Sequence, residues 1–290
     1  MNTELMEWLN LFFRWAHVFA GIMWVGATFF FTWLDGRFTE LEEKAKANPN
    51  DPNPEKLVWM VHSGGFYMVE KEKNPRLLAQ TLHWFKWESG LTWLTGIILF
   101  GIVYYHGGLM VEFEDWPITK GAAIGLSLGF ILASWVVYDL LWKFVKNELL
   151  GVVISFVLIA ACAFVFLGGA NIDVFGWHLA LHPWHALFPA RAAFMQLGAM
   201  LGTIMAANVW MRILPPQRRM VAALKAGQQP DLAEGARAKA RSKHNTFIVF
   251  PVVFLMISNH YSIIGSPHNW IVLCAMVLLG WATAKIIRRA

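Results

Sequence analysis

From Leu149 to Ile172 the chain runs 24 residues without one Asp, Glu, Lys or Arg. That stretch constrains the fold more than any other feature. A helix crossing a bilayer needs roughly 20 apolar residues in a row. Charge is scarce elsewhere too, at 15% of residues with 57% hydrophobic, against about 25% charged in an ordinary soluble domain. Seven apolar stretches predict spans at about Trp8–Leu34, Leu82–Tyr105, Gly121–Phe144, Leu149–Gly168, Ala190–Leu214, Thr246–Ile264 and Trp270–Ile287. Inside hydrocarbon a backbone must satisfy its own hydrogen bonds, so each span is expected to be helical. The expected fold is all-α, a polytopic membrane helical bundle of about seven transmembrane helices forming one domain over residues 1–290.

The basic residues predict the orientation. With the N-terminus outside and the C-terminus cytoplasmic, 21 of the 24 Lys and Arg fall on the inner side, and only Arg14, Lys120 and Arg191 do not. The outer loop near Glu112, Glu114 and Asp115 is acidic. Such asymmetry is the positive-inside pattern. It also accounts for the net charge of +5 as a belt facing anionic lipid headgroups rather than nucleic acid. The first residues carry Glu4 and Glu7, and the first apolar run is too long for a cleavable signal.

Two cytoplasmic loops are long, 35–81 and 215–245. The first holds a turn-rich Asn48–Pro54 linker, then Leu57–Tyr67, whose aromatics and glycines predict a folded loop. The second is expected to form an amphipathic surface helix. The segment Asn171–Pro189, broken by Pro183 and Pro189, is expected to be a short surface helix or re-entrant piece. Cys162 and Cys274 sit in apolar runs as packing thiols, and no Cys-x-x-Cys-His is present for c-type haem attachment.

Ten histidines carry most of the chemical information, because an ionisable group inside a span is a functional candidate by default. His17 lies within the first span, roughly 13 Å below its outer end at 1.5 Å per residue. Gly21 follows one turn later on the same face. A small residue beside a histidine leaves room for a flat macrocycle, and the imidazole can supply an axial nitrogen to haem iron. The competing reading is a histidine bonded to a neighbouring helix, with Gly21 serving close packing. His260 is the favoured second ligand at similar depth, and His182 and His185 are its rivals. On the inner side, His62, His83, Lys86, Glu88 and His244 offer acid–base groups at the cytoplasmic mouth, with Phe66 and Trp84 as aromatic faces. Such a set suits a planar anionic ligand, the alternative being interfacial anchoring.

The residues Arg14-Trp15-Ala16-His17 with Trp24-Val25-Gly26, His62-Ser63-Gly64-Gly65-Phe66-Tyr67, His83-Trp84-Phe85-Lys86-Trp87-Glu88, and His244-Asn245-Thr246 through Ser258-Asn259-His260 together resemble the bacterial membrane-bound urate hydroxylase family. The resemblance runs over nearly the whole chain. It implies a haem b oxidoreductase of the bacterial inner membrane that oxidises urate, or a related purine, to 5-hydroxyisourate and passes electrons to a cytochrome c. Members typically add an eighth span and a C-terminal cytochrome c domain, neither of which occurs before Ala290. The expectation is therefore either a longer natural chain or a separate cytochrome c partner. Two alternatives stand beside this reading. One is a protoporphyrinogen oxidase-like haem protein, which the first span resembles. The other is a non-enzymatic membrane transporter or assembly factor.

Overall fold

The computed structural model describes residues 3–52, 54–72, 75, 81–111, 116, 118–168, 171–174, 177–180, 186–266 and 269–287. Eight helices and two short strand pairs make up the described chain, with α1 over Thr3–Ala47, α2 over Trp87–Phe100, α3 over Lys120–Phe144 and α4 over Glu148–Leu167. Then follow α5 over Ala190–Ala207, α6 over Leu214–Lys225, α7 over Leu232–Ser258 and α8 over Asn269–Ile287. Six helical stretches are long and apolar enough to cross a membrane. The apolar part of α7 is shorter, but it packs on α5 and α8 as the seventh member of the bundle.

Local sequence sets the boundaries. The Thr119 hydroxyl accepts from the Ala122 amide at 3.3 Å, and the Asn147 carbonyl oxygen accepts from Leu150 at 3.0 Å. These side chains cap the orphan amides that open α3 and α4. Gly168, at φ 78°, ends α4 in the left-handed conformation glycine tolerates. Asp231 caps α7 by accepting from the Ala233 amide at 2.9 Å. Two helices loosen into π-helical turns, α2 at Gly101–His106 and α5 at Asn208–Ile213. Single π turns inside helices frequently mark functional positions, because they re-aim side chains.

The helix α5 is the central post. Its Ala192, Phe194, Leu197, Met200 and Ile204 are all buried, and its neighbours are α2, α3, α4 and α7. Polar locks fix it there. Ser127 of α3 donates to Gln196 Oε1 at 2.5 Å, and Gln196 Nε2 donates back to the Ser127 carbonyl at 3.0 Å. Trp93 Nε1 of α2 donates to Thr203 at 3.1 Å. The outward faces stay apolar and exposed, including Trp8, Phe12, Trp15, Phe19 and Ile22 of α1 and Leu132 of α3. A surface of this kind belongs against lipid.

Three expectations are corrected. The helix α1 does not stop near Leu34 but continues to Ala47, because the charged residues that end the apolar run are themselves good helix formers. The segment after Asn171 forms antiparallel strands β3 (Asn171–Val174) and β4 (Trp177–Ala180), not a helix. The loop 215–245 is two helices, α6 and the first half of α7, which runs on unbroken through Pro251. Gly280 of α8 makes room for that proline, since a Cβ there would stand 2.9 Å from Pro251 Cδ. The folded part of the 35–81 loop is a hairpin of β1 (Leu57–His62) and β2 (Gly65–Glu70). Ser63 and Gly64 turn it at φ 49° and 77°, as a two-residue primed turn requires.

Candidate functional site

The bundle has a basic end, where α1 leaves it and α2 enters, and an opposite end near His17 and His260. His17 sits between α1 and α2. Its Nδ1 lies 2.9 Å from the Thr92 carbonyl oxygen. A carbonyl only accepts, so Nδ1 carries the ring proton and Nε2 keeps its lone pair. A metal-ligating histidine commonly shows this arrangement, its second nitrogen held by a backbone carbonyl. The ring lies directly on Gly96 of α2, where a Cβ would be 2.8 Å from Cε1. Gly21 also faces α2, with Thr92 Cγ2 at 3.9 Å from where its Cβ would be. Gly96, which the sequence reading did not single out, is thus the glycine that admits the His17 ring.

His260 is exposed in the turn just after α7. The helices α1 and α7 run antiparallel, with Thr32 meeting Thr246 at 3.4 Å between hydroxyl oxygens and the Phe29 and Phe250 rings 5.3 Å apart. From that contact His17 is 15 residues along α1 and His260 is 14 along α7. At 1.5 Å per residue both lie about 21–22 Å away, at one depth. Arg14 and Arg191 are close enough for their charge to reach the Tyr104 hydroxyl, which accepts from Asn259 Nδ2 at 2.5 Å. They are two of the three basic residues that stand apart from the basic belt. His17 is thus bonded to a neighbouring helix with Gly21 facing that helix, and the two imidazoles at one depth, with Arg14 and Arg191 nearby, are the groups that could serve a haem. His182 and His185 lie outside the described residues.

At the basic end the α5 π turn organises a buried polar network. Asn208 Nδ2 donates to Tyr138 Oη and to Asn245 Oδ1, both at 2.9 Å. Asn245 Nδ2 donates to the Met205 carbonyl at 3.0 Å. Tyr138 Oη is 2.7 Å from His244 Nδ1. Since Tyr138 already accepts from Asn208, its own proton is best satisfied on His244 Nδ1, which leaves the His244 proton on Nε2. One helical position on, Asp139 accepts from Arg212 Nε at 2.7 Å, from the Arg212 terminal nitrogen, and from Arg241 at 3.0 Å.

His244 stands two residues before the predicted span Thr246–Ile264. Burial, reinforced by the Arg241 charge, pushes its pKa down to about 4. The imidazole is therefore neutral near pH 7. An unfolded chain would hold a histidine near the ordinary 6.5, so between these values the unfolded state binds the extra proton. This contribution to stability is full above pH 6.5 and lost as pH falls toward 4, up to about 3 kcal/mol. Thermal melting of the detergent-solubilised protein should show a decline over that window which is flatter in His244→Gln. Parallel pH curves for the two proteins would refute the assignment.

The other inner candidates separate into different surroundings. Lys86 and Glu88 both belong to the start of α2. Lys86 Nζ lies over the Trp87 and Trp210 rings, 5.2 and 6.0 Å from their centroids. Gly90, one turn on, admits Trp210, whose ring would be 2.9 Å from a Cβ. Glu88 shares the α2 face of Thr92, toward α1. Its Oε2 is buried without a partner among the described residues, as are Trp210 Nε1 and Asn208 Oδ1. His83 meets Phe85 edge-on at 4.5 Å, and Phe85 in turn meets Phe31 of α1 at 4.7 Å. His62 is exposed at the tip of the β1–β2 hairpin. His244 instead faces α3, with the Trp142 ring 4.1 Å from its own. The sequence reading missed Tyr138, Asp139, Asn208 and Trp210. Asp139 and Asn208, each a strongly polar residue inside a predicted span, were the available signal.

Compared with known protein families, the chain matches the one described as urate oxidase N-terminal, over residues 3–289. No curated protein and no solved structure matched it.

Proposed function

This chain belongs to the urate oxidase N-terminal family, and on that footing we propose that it is a haem b oxidoreductase of the bacterial inner membrane. It oxidises urate to 5-hydroxyisourate and delivers the electrons to a cytochrome c. The observation that supports a polar ligand at the basic end is the set of buried polar atoms without a partner among the described residues there: Glu88 Oε2, Trp210 Nε1 and Asn208 Oδ1. Buried polar groups cost free energy when unmatched, so a native structure keeps them where something polar binds.

Urate arrives from the cytoplasm at the basic end. Lys86 offsets its negative charge, and the Trp87 and Trp210 rings beside Lys86 offer faces for its plane. His83, three residues before Lys86, takes the proton from the attacking water as general base, with His62 of the hairpin covering the mouth. His244 stays neutral and holds Tyr138 in place. The reaction is urate plus water giving 5-hydroxyisourate, two protons and two electrons. A haem b held by His17 and His260, with Arg14 and Arg191 toward its carboxylates, would supply one-electron storage between a two-electron donor and a one-electron acceptor. The Thr92 carbonyl keeps the His17 proton on Nδ1, and Gly96 seats the ring.

Stopped-flow mixing of the purified protein with urate tests this reading. Urate should reduce a b-type chromophore, and added cytochrome c should reoxidise it. His83→Ala should slow reduction by about 10²–10⁴-fold if it is the base. If urate leaves the chromophore oxidised with cytochrome c present, the proposed reaction is wrong.

A further inference from the structure

A cavity of about 480 Å3 lies between α3, α4, α5, α7 and α8, apart from the Lys86–Trp210 side. Its walls are apolar from Phe130 and Cys162 at one end to Leu141 and Phe247 near the other. Phe130 to Trp142 spans 12 residues of α3, so the cavity is about 18 Å long. Charged and ring polar groups gather at the basic end, with His244, Tyr138, Lys285 and the ion pair of Lys243 with Glu148, while Ser134 and Ser155 further along give their hydroxyl protons to carbonyls of their own helices. Although consecutive in the chain, α3 and α4 barely touch. At the basic end Trp142 closes the gap between them, its ring 2.9 Å from where a Gly151 Cβ would be. Further along, the wall residues Ala133, Val137 and Leu158 are exposed, so the cavity opens sideways into the lipid layer.

This shape excludes urate, whose ring edges are hydrogen-bonding groups almost all round and would lie unpaired against apolar walls. It suits a neutral planar head on a long apolar tail. With Nδ1 occupied by Tyr138, His244 has its Nε2–H left to donate to one carbonyl, and the Trp142 ring borders the same spot. We propose that this cavity binds an isoprenoid quinone, its head carbonyl on His244 and its tail leaving between α3 and α4. The quinone is a second electron outlet, within the lipid phase. That role rests on the oxidoreductase reading above, whereas the binding does not. The stoichiometry closes without another reactant. Oxidation of urate by water releases two electrons and two protons, and turning the two quinone carbonyls into hydroxyls consumes two of each.

The test uses the purified protein in phospholipid nanodiscs and a photoreactive azidoquinone, with labelled peptides identified by mass spectrometry. Labelling should saturate, map to α3, α4 or α7, and be displaced by excess decylubiquinone. Ala133→Phe, which fills the opening from its lipid side, should reduce labelling about tenfold while urate-dependent reduction with cytochrome c is unchanged. His244→Phe removes the hydrogen bond to the quinone head, together with the one from Tyr138, and should weaken displacement by about five- to tenfold. Labelling that does not saturate, that survives in Ala133→Phe, or that added phospholipid displaces equally well would overturn the proposal and leave an acyl-chain cavity. Failure of urate to reduce the wild-type protein would refute the urate reading alone, because azidoquinone labelling is measured without urate.

Discussion

Asp139→Ala should destabilise the bundle by on the order of 3–5 kcal/mol, the cost of stripping a partner from a buried ion pair. The Asp139 side chain is 11% exposed and that of Arg241 12%. Removing the carboxylate leaves Arg241 enclosed with no counter-charge, and its Nη1 already lacks a partner among the described residues. Arg212 offers a contrast on the same carboxylate. Its side chain is 47% exposed, so Arg212→Gln should cost no more than about 1 kcal/mol. Thermal melting or graded detergent denaturation reads both. An Asp139→Ala protein within 1 kcal/mol of wild type would show that water already reaches this cluster.

Gly96→Val should remove the haem proposed on His17 as completely as His17→Ala should. A Cβ at Gly96 would stand 2.8 Å from His17 Cε1 and 3.1 Å from Nδ1, so the imidazole must leave its seat and its bond to Thr92. Gly21→Ala, with its nearest neighbour at 3.9 Å, should keep the pigment. Haem per protein, from the reduced-minus-oxidised spectrum, should drop at least tenfold in Gly96→Val and by less than a quarter in Gly21→Ala. Full haem content in Gly96→Val would place the pigment elsewhere. Retention of α-helical circular dichroism separates a lost ligand from a lost fold.

These two sites differ in how readily the sequence revealed them. The apolar runs located the bundle because bilayer length and hydropathy act through composition alone. Composition did not say where helices end. Arg37 to Lys46 are as helical as the span before them, so a charge boundary was mistaken for a helix boundary. His17 was visible because a histidine inside an apolar run is conspicuous. Its partner was not, because Gly96 is one of 23 glycines and is distinguished only by the ring laid upon it. The Tyr138–Asn208–Asn245–His244 network needed three helices in register, and no single segment encodes that. Of the inner candidates only His83, Lys86 and Glu88 lie close in sequence, and their surroundings differ, with His83 against Phe85 and Lys86 over Trp87 and Trp210. Lys86 and Glu88 are two positions apart on a helix, which turns their side chains to different sides.

Asp35 lies 18 residues below His17 on α1, about 27 Å along the axis. It is gripped by Lys71 at 2.5 Å from the hairpin side and by Lys239 of α7 at 2.7 Å. Between these points α1 is lined on its outer side with Phe19, Ile22, Met23, Phe30 and Phe31. Such a greasy wall sets no preferred height, and a slide of one 5.4 Å turn would cost it little. The double grip on Asp35 works as a collar on the shaft. With the hairpin seated on Leu34 and Phe38, it fixes how far α1 is driven into the bilayer. The height of the imidazole is therefore held at two levels, by the Thr92 carbonyl beside it and, from the aqueous side, by two lysines that never approach it.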